Sequence, residues 1–583
     1  MTKNKAQMMS EVAEYKPIPA SSCYRHLNLD FNWQFGALSD YMTEADAVEY
    51  AEFCADINLD ATYLLLVPHQ GYTIYKSKYA PSFPSMKTNF AKELIEELHK
   101  RNIAAIGYIS LARNWFYDKT HHETTWYWEK SNEILNCLNS DYMDYVLALT
   151  EEAVTELKID AIRYDTLMSP RDCKCEGCKK FYRELYGEEL PDDWNGNWKR
   201  AYDFQRESSS RAAKLIYETV KKHKPELEVW QNGFMQQIEF DENNLEAGRY
   251  QDVAYIECGD PFRQLFQTGV LDLNGTIVGG ILKSPKRSLC YALGGSCYSS
   301  FPVSRKTLLP EDREWYKKDL KPFYETAEKM LPFIKDTSPV PYFGIIYCER
   351  TRYRNHLYDR SQYVNHMRHI TESYLEESNT VKFFSNLDIG VKPNLLERIE
   401  LLYLPQTSGL SKEQTDELLS YVNNGGIIIL SGGALGYDEK GNKFMFDNVK
   451  RIIESTPFET VRNETCAVNV FKYGEGKILH TAENLSLEDA KYLIDSHLQT
   501  KPITSKYQVI LNQDNQNPKL YYLNILNEKA QTVIIDKKHF GNIKVSPAFP
   551  ENEKFNVIQT EKGTEIYVGD GEEHRILAIE TEE

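Results

Sequence analysis

The chain has 583 residues, of which 42% are hydrophobic and 26% are charged, a composition typical of a folded globular protein. Its 86 acidic and 68 basic side chains give a formal net charge of −18, which disfavours nucleic acid and anionic membranes as partners because both carry negative charge. The first residues contain no apolar stretch of signal-peptide length, and nowhere is there the run of about 18 apolar residues that crosses a membrane. We therefore expect a cytoplasmic protein.

The first part of the chain alternates short strand-like runs with longer helical patterns, which is typical of βαβ units around a parallel sheet. Helical periodicity is clearest in 89–100 and 142–157, where apolar residues recur every three or four positions. Eight runs have the composition of strands, and they are 24–30, 61–68, 103–110, 159–165, 226–231, 253–257, 275–281 and 288–297. Because eight is the strand number of a TIM barrel, we predict a (β/α)8 barrel over residues 1–336, followed by the linker DTSPVP.

The region 337–505 begins again with an apolar strand pattern, YFGIIYC, and continues with LLYLPQ, the helical KEQTDELLSYV and the strand IIILSGG. This order predicts a second α/β domain with a parallel sheet, of the flavodoxin-like or glutamine-amidotransferase-like kind. Gly425 and Gly426 fit a helix cap before a strand better than a nucleotide-binding loop. Helical patterns end near residue 506, and short strands such as KLYYLNIL, QTVIID and TEIYVG predict a small antiparallel β-sandwich over 506–583.

Polar residues that end apolar strand runs are the first functional candidates, since a TIM barrel places its active site at the C-terminal ends of its strands. They are His69, Trp115, Asp165 and Glu257. Asp165 is the strongest, because the period of two along its strand puts it on the same face as Arg163. A neighbouring guanidinium favours the ionised carboxylate, the form that can attack an anomeric carbon. The alternative is that Asp165 only caps the next helix.

A nucleophilic carboxylate in a barrel suggests glycoside hydrolysis with retention, which requires a second carboxyl group about 5 to 5.5 Å away as the proton donor. Glu257 is our candidate, because its strand lies two places round the barrel from that of Asp165. Asp260 or a more distant loop acid is the alternative, and Glu257 would then be a structural carboxylate.

Further polar and aromatic residues are candidates for contact with a sugar. A histidine can hydrogen-bond hydroxyl groups, and a tryptophan offers a flat apolar face to a pyranose ring. Each has a structural alternative, since barrel interiors also contain tryptophans and satisfied polar side chains without a functional role. The predicted substrate-binding residues are His69, Trp115, Arg163, His26, Asn232 and Trp230.

The 11 cysteines are scattered along the chain, and most are expected to be reduced, buried thiols. The exception is CKCEGC, in which Cys173, Cys175 and Cys178 supply three of the four thiolates of a structural zinc site. No fourth ligand with the usual spacing follows, so a closed site needs a distant partner, and free thiols in a loop are the alternative. We expect that catalysis requires no cofactor.

Several of these segments resemble a known family. They are LNLDF, HQGYTIYKSKYAP, GYIS, LNCLNSDY and IDAIRYD, followed by CKCEGCKKFYRELYGEELP. Together they resemble the family catalogued as hypothetical glycosyl hydrolase family six, part of which is assigned to the α-L-fucosidases of glycoside hydrolase family one hundred and fifty-one. The resemblance implies that Asp165 is the nucleophile and that His69 lies in the substrate pocket. This chain differs at Asn32, where relatives typically have His, and at Arg163, where an aromatic residue is usual.

The second domain is similar to the β-galactosidase trimerisation domain, through LLYLPQTSGLSKEQTDELLSYVNNGGIIILSGG. This similarity implies a homotrimer. The sequence as a whole predicts a retaining glycoside hydrolase that acts on an oligosaccharide or glycoside, with α-L-fucosidase as the leading activity. The alternatives are a retaining glycosidase of another specificity such as a galactosidase, a barrel that binds saccharides without cleaving them, and a zinc-dependent hydrolase built on CKCEGC.

Overall fold

The computed structural model divides into two compact units. The first comes from residues up to 331 except 260–272 and 288–294, and the second from those two segments together with 332–583. The structure describes residues 15–30, 32, 42–43, 45–128, 132–168, 173–194, 198–232, 245–256, 260–271, 275–278, 287–294, 296–302, 310–354, 360–438, 443, 445–462 and 466–582.

Eight parallel strands of the first unit close into a barrel in the order β1-β10-β9-β8-β7-β6-β3-β2, which confirms the predicted TIM barrel. A short antiparallel hairpin, β4 and β5, is inserted after the third barrel strand. The strands of this region are β1 Arg25–Asp30, β2 Ala61–Val67, β3 Ala104–Ser110, β4 Thr125–Trp128, β5 Glu133–Asn136, β6 Ala161–Asp165, β7 Glu228–Asn232, β8 Val253–Ile256, β9 Gly275–Val278 and β10 Ser296–Pro302.

The helices along the same stretch of chain are α1 Ala47–Asp56, α2 Phe90–His99, α3 Trp115–Asp118, α4 Tyr142–Glu156, α5 Glu176–Tyr186, α6 Trp198–His223, α7 Pro261–Val270, α8 Arg287–Ala292 and α9 Pro310–Met330. The eighth predicted strand, 288–297, is wrong, because its first half is helix α8 and the strand begins only at Ser296. A short apolar run of this kind is compatible with either structure. Gly294 follows the helix with φ +83°, a conformation that glycine adopts at helix ends without strain.

At the floor of the barrel, where the strands begin, large aromatic side chains pack against small alanine side chains. Alanines stand at the first position of β2, β3 and β6, and they leave space for Tyr63, Trp230 and Tyr255 in the same buried cluster. Such layers of inward side chains make the interior of a small parallel barrel a packed core. The open, polar end is therefore the opposite one, where the strands terminate.

The second unit contains a seven-stranded sheet in the order β13-β12-β14-β15-β18-β17-β16. Its first five strands are parallel, and the last two pair antiparallel as an edge. The strands are β12 Pro341–Tyr347, β13 Thr380–Ser385, β14 Leu401–Pro405, β15 Ile427–Ser431, β16 Glu459–Arg462, β17 Ala467–Tyr473 and β18 Gly476–His480. The helices are α10 Glu349–Arg354, α11 Arg360–Glu376, α12 Lys412–Asn423, α13 Asp447–Ile453 and α14 Leu487–Leu498.

Local sequence explains where helix α12 begins and ends. Ser411 and Gln414 form a capping box at the start of α12, which satisfies two backbone N–H groups that the helix leaves unbonded. Gly425, with φ +108°, follows its end. Helix α7 also packs in this unit, with the Phe262 and Phe266 rings 5.8 and 5.2 Å from the ring of Phe383 in β13.

The remaining strands form two antiparallel sheets, one of five strands and one of four, that share one apolar core. They are β11 Thr337–Pro339, β19 Ile503–Ser505, β20 Val509–Asp514, β21 Leu520–Ile525, β22 Gln531–Asp536, β23 Ile543–Phe549, β24 Phe555–Gln559, β25 Gly563–Val568 and β26 Arg575–Thr581, with the short helix α15 Lys537–Phe540. The predicted linker DTSPVP is partly strand, because Thr337–Pro339 pairs with β20. Among the described residues, no helix combines the length and the apolar character needed to cross a membrane.

Candidate active site

The predicted nucleophile, Asp165, lies beside polar side chains at the C-terminal ends of the neighbouring barrel strands β3, β6 and β7. Ser110, the last residue of β3, pairs in register with Asp165, the last residue of β6. On the other side, Gln231 of β7 pairs with Tyr164, so Asn232 is the next residue at the level of Asp165. Ser110, Asp165 and Asn232 therefore form one layer at the mouth of the barrel, where TIM-barrel enzymes place their chemistry.

Asp165 is half-buried and accepts two hydrogen bonds of 2.6 Å, one from the Tyr108 hydroxyl to Oδ2 and one from the Thr166 backbone N–H to Oδ1. Burial by itself would raise the pKa of this carboxyl group. The attraction of His69 and Arg163, the Tyr108 hydrogen bond and the charge of Arg113 outweigh burial, and the pKa lies below its ordinary value. Asp165 is thus an ionised carboxylate, as a nucleophile must be.

Arg163 lies one layer deeper in the barrel and is 1% exposed. Its guanidinium is 3.5 Å from the centroid of the Tyr255 ring and 5.1 and 5.3 Å from those of Tyr63 and Tyr108. The three tyrosine rings occupy the space around the guanidinium, so the structure gives Arg163 a place in the barrel core rather than the predicted contact with substrate. The cage instead fixes a positive charge beneath Asp165, as the period of two along the strand predicted.

His69 is buried and its Nδ1 lies 2.8 Å from the Ser110 hydroxyl oxygen. Because that hydroxyl donates its own hydrogen to the Arg113 carbonyl, Nδ1 carries the proton and Nε2 is the acceptor. Burial lowers the pKa of His69 to about 4, so the imidazole is neutral at neutral pH. The other groups that lower the pKa of Asp165 are Arg163, Tyr108 and Arg113.

Trp115 forms a wall next to His69. Its backbone N–H donates to the His69 carbonyl at 2.9 Å, and the two rings meet edge to face at 6.2 Å. The indole is half-buried, so part of its apolar surface remains accessible. Asn32 supports the same site, because its Oδ1 accepts from the His69 N–H and its Nδ2 donates to the Tyr108 hydroxyl, both at 3.1 Å.

Sequence reasoning missed Tyr108, Ser110 and an ion pair between Arg113 and Glu133. The pair joins the segment after β3 to hairpin strand β5, with Nη2 and Nε of Arg113 2.8 and 3.2 Å from one Glu133 oxygen. Both charges act on the pKa of His69, which places them near the site. For Tyr108 and Ser110 a signal existed, because GYIS has the same period of two that singled out Arg163 and Asp165.

Two predicted substrate contacts belong to the barrel core instead. His26 is fully buried, with Nε2 2.7 Å from the Cys23 carbonyl and Nδ1 3.2 Å from the Tyr63 hydroxyl. Trp230 is also fully buried and its indole N–H donates to Glu228 at 3.1 Å. Both side chains lie at the floor, where the strands begin, so the prediction that they bind substrate is wrong. Their polar atoms are satisfied within the fold.

The predicted proton donor, Glu257, lies outside the described residues. Asp260, the alternative donor, has a structural role. Its Oδ1 accepts from the backbone N–H groups of Phe262 and Arg263 and caps helix α7, while Oδ2 lies 2.6 Å from Arg368. Both carboxylate oxygens of Asp260 are therefore engaged within the fold, at a helix N-terminus and by a guanidinium.

The cysteine cluster has a fourth member that spacing did not reveal. Cys137, directly after β5, lies with Cys173, Cys175 and Cys178 so that all four sulfurs are within 4.8 Å of one another. Four sulfurs bound to one zinc ion at about 2.3 Å lie about 3.8 Å apart, so the cluster fits that ion. Hydrogen bonds from the three neighbouring thiols hold the pKa of Cys175 well below its ordinary value, whereas burial and the same neighbours raise the pKa of Cys137.

No protein-family model and no curated protein matches the sequence, but solved structures are similar to it. One is α-L-fucosidase isoenzyme 2 from Paenibacillus thiaminolyticus, with 14% identity and a TM-score of 0.68 over 96% of this chain and 100% of that one. A second is β-galactosidase from Bacillus circulans sp. alkalophilus, with 13% identity and a TM-score of 0.71 over 95% and 99%. A third is a catalytic mutant of Gan42B, a GH42 β-galactosidase from G. stearothermophilus, with 11% identity and a TM-score of 0.70 over 98% and 100%. Over nearly its whole length the chain therefore has the fold of these proteins.

Proposed function

We propose that the protein is a retaining glycoside hydrolase in which Asp165 is the nucleophile. The observation that carries the proposal is the Asp165 carboxylate, which accepts a hydrogen bond from Tyr108 and has a pKa below its ordinary value, at the mouth of a barrel whose fold is that of α-L-fucosidase and β-galactosidase structures. A neutral His69 with Nε2 as acceptor and the half-buried face of Trp115 supply a hydrogen bond and an apolar surface for a sugar ring.

The proposed reaction has two displacements. The Asp165 carboxylate attacks the anomeric carbon, the glycosidic C–O bond breaks, and an acid donates its proton to the leaving oxygen. The resulting base then takes a proton from water, whose oxygen attacks the same carbon and releases Asp165. We assign the acid/base role to Glu257, because it directly follows β8, two strands from β6 round the barrel.

For the substrate we propose an α-L-fucoside, with a β-galactoside as the second candidate. The family resemblance and one of the similar structures favour the first, and two similar β-galactosidase structures favour the second. L-Fucose carries a methyl group where galactose carries a hydroxymethyl group, and an apolar wall such as Trp115 suits the methyl group.

The test is to trap the covalent intermediate. The full chain is incubated with a 2-fluorinated fucosyl donor and, separately, with its galactosyl counterpart, and the labelled peptide is identified by mass spectrometry. Label on the peptide that contains Asp165 with the fucosyl donor supports nucleophile and substrate together. If only the galactosyl donor labels the protein, the substrate is a galactoside and not a fucoside. If a panel of nitrophenyl glycosides gives no turnover and neither donor labels the protein, the barrel only binds saccharides and the proposal is wrong.

We also propose that Cys137, Cys173, Cys175 and Cys178 hold a structural zinc ion. Four thiolates leave no coordination position for water or substrate, which argues against a zinc-dependent hydrolase. The ion would tie the end of hairpin β4–β5 to the start of α5 and so stabilise the loops near Asp165. Metal analysis of the purified protein should find one zinc per chain, lost in Cys137→Ser and retained in the control Cys466→Ser. Absence of zinc from protein produced with zinc would contradict the proposal.

For assembly we propose a homotrimer formed through the second α/β domain, on the strength of the sequence similarity to a trimerisation domain. Light scattering coupled to size-exclusion chromatography should give three times the mass of one chain. A monomeric mass at micromolar concentration would exclude this assembly.

A further inference from the structure

The seven-stranded sheet of the second unit has a topological switch point. The chain passes from β12 outward to β13 and then crosses back to β14 on the other side of β12. In open parallel sheets of this kind the helices on either side of the switch diverge, and a crevice opens at the C-terminal ends of the strands. Small-molecule ligands of such sheets bind there.

This crevice contains a cavity of about 430 Å³, within the range of about 300–1,000 Å³ typical of small-molecule sites. Its walls come from the first half of helix α11, the ends of β14 and β15, and the segment after β18. The lining residues that matter for the ligand are Gln362, Asn365, His366, Tyr403, Ser431 and Asn484.

The loops that form the cavity are held in unusual backbone conformations. Gln406, directly after β14, has φ +55°, a region that side chains other than glycine rarely adopt. Gly432 follows β15 with φ +62°, and a Cβ atom there would lie 2.1 Å from Oδ1 of Asn484. Only glycine permits this approach. The three loops thus converge on one point, as at many binding sites where strain is retained.

A chain of hydrogen bonds forms the floor of the cavity. His366 Nε2 lies 2.8 Å from the Tyr403 hydroxyl, which lies 3.2 Å from the Ser431 hydroxyl. Burial, followed by the charge of His369, lowers the pKa of His366 to about 4, so its imidazole is neutral. The floor therefore presents uncharged groups that both donate and accept hydrogen bonds.

The described lining is uncharged. Among the residues that the structure describes, it contains no Lys, Arg, Asp or Glu, so these residues offer neither the cations that bind phosphates and carboxylates nor the carboxylates that bind cations. Among the described residues, the metal-binding cluster is the cysteine cluster and not the histidines of α11. Amides, imidazoles and hydroxyls are complementary to ligand hydroxyl groups, which also donate and accept.

We propose that this crevice is a second ligand site, which binds a neutral polyhydroxylated molecule of monosaccharide size. The inference rests on the second unit alone. It holds whether or not the barrel cleaves a fucoside, because binding here and turnover at Asp165 are separate measurements.

The test measures binding of D-galactose, L-fucose and D-glucose to the full chain by saturation-transfer difference NMR, with inorganic phosphate and citrate as anionic probes. The variant His69→Ala removes one contact of the barrel site, and further variants of the crevice in this background show which part of the remaining binding belongs to the crevice. We expect at least one neutral sugar to bind this variant with a millimolar Kd. Adding Asn365→Ala or Gln362→Ala should weaken that binding at least tenfold.

Gln362 is exposed, so its replacement leaves the core intact, and Gln516→Ala, an exposed turn residue of the same unit, is the matched control. Thermal unfolding of every variant confirms that it is folded. The proposal is overturned if no neutral sugar binds the His69→Ala protein, if the crevice variants bind as well as the control, or if phosphate or citrate competes with the sugar.

Discussion

The two ends of strand β6 each have an aspartate, and the two carboxylates have opposite environments. Asp160, just before the strand at the barrel floor, is fully buried and accepts four hydrogen bonds, from the Ile18 and Ala105 backbone N–H groups, the Tyr15 hydroxyl and His99. Asp165, at the mouth, is half-buried and receives one side-chain bond and one from its own backbone segment.

A carboxylate whose acceptor positions are all filled by the protein contributes to stability but has no lone pair for chemistry. One that is ionised but only partly engaged, next to a fixed guanidinium, retains an oxygen that can react. The contrast between the two ends of one strand therefore separates a structural acid from a catalytic one more sharply than residue type does.

Replacement of Asp165 has the largest expected effect. Asp165→Asn removes the nucleophile and keeps the shape, so kcat/KM on the best nitrophenyl glycoside should fall by about 10⁴-fold or more, equivalent to about 5.5 kcal/mol of transition-state stabilisation. The melting temperature should change little, because the mouth contributes few satisfied bonds. Retained turnover in a folded variant would show that another residue is the nucleophile.

Asp160→Asn should show the opposite pattern. The amide NH₂ group would face a backbone N–H donor, so we expect the free energy of unfolding to fall by about 2–4 kcal/mol. Chemical denaturation measures this loss. The folded fraction should keep its kcat/KM within about twofold of wild type, and a large loss of activity without loss of stability would contradict the structural role of the floor.

Tyr108→Phe tests what keeps Asp165 ionised. Loss of a hydrogen bond to a charged group costs about 1.5–3 kcal/mol, so kcat/KM should decrease about 10- to 100-fold. Because the Tyr108 bond lowers the pKa of Asp165, its removal raises that pKa, and the acidic limb of the pH–rate profile should move to higher pH. Tyr164→Phe, which loses a bond to Thr150 on the other face of β6, is the control and should leave the profile in place.

The smallest expected effect concerns His69 and stability. Its pKa is about 4 in the folded protein and about 6.5 in an unfolded chain, so between these values the unfolded state binds a proton that the folded state does not. Acidification through this window therefore destabilises the fold. In His69→Gln the drop in melting temperature from pH 7 to pH 5 should be smaller than in wild type. The control His122→Gln, at an exposed histidine, should show the same drop as wild type. Equal drops in all three proteins would show that protonation of His69 does not contribute to the loss of stability at low pH.

Much of the barrel could be predicted because its strands and helices follow from sequence patterns a few residues long. Alternating strand and helix patterns located seven of the eight barrel strands, and the period of two placed Arg163 and Asp165 on one face. Helix α8 was mistaken for a strand because a short buried apolar run looks alike in either form. Polarity alone also misplaced His26 and Trp230, since a polar side chain satisfied in the floor has the same sequence signature as one at the mouth.

The βα alternation, the strand ends at which chemistry is possible and the three clustered thiols could be predicted from the amino-acid sequence, because each depends on neighbours within a few positions. Three contacts became visible only in the fold: Tyr108 bonds Asp165, tyrosines enclose Arg163, and Cys137 completes the thiol cluster. These contacts join residues far apart in the chain. Their partners are selected by closure of the sheet and by packing of the loops, which no local pattern records.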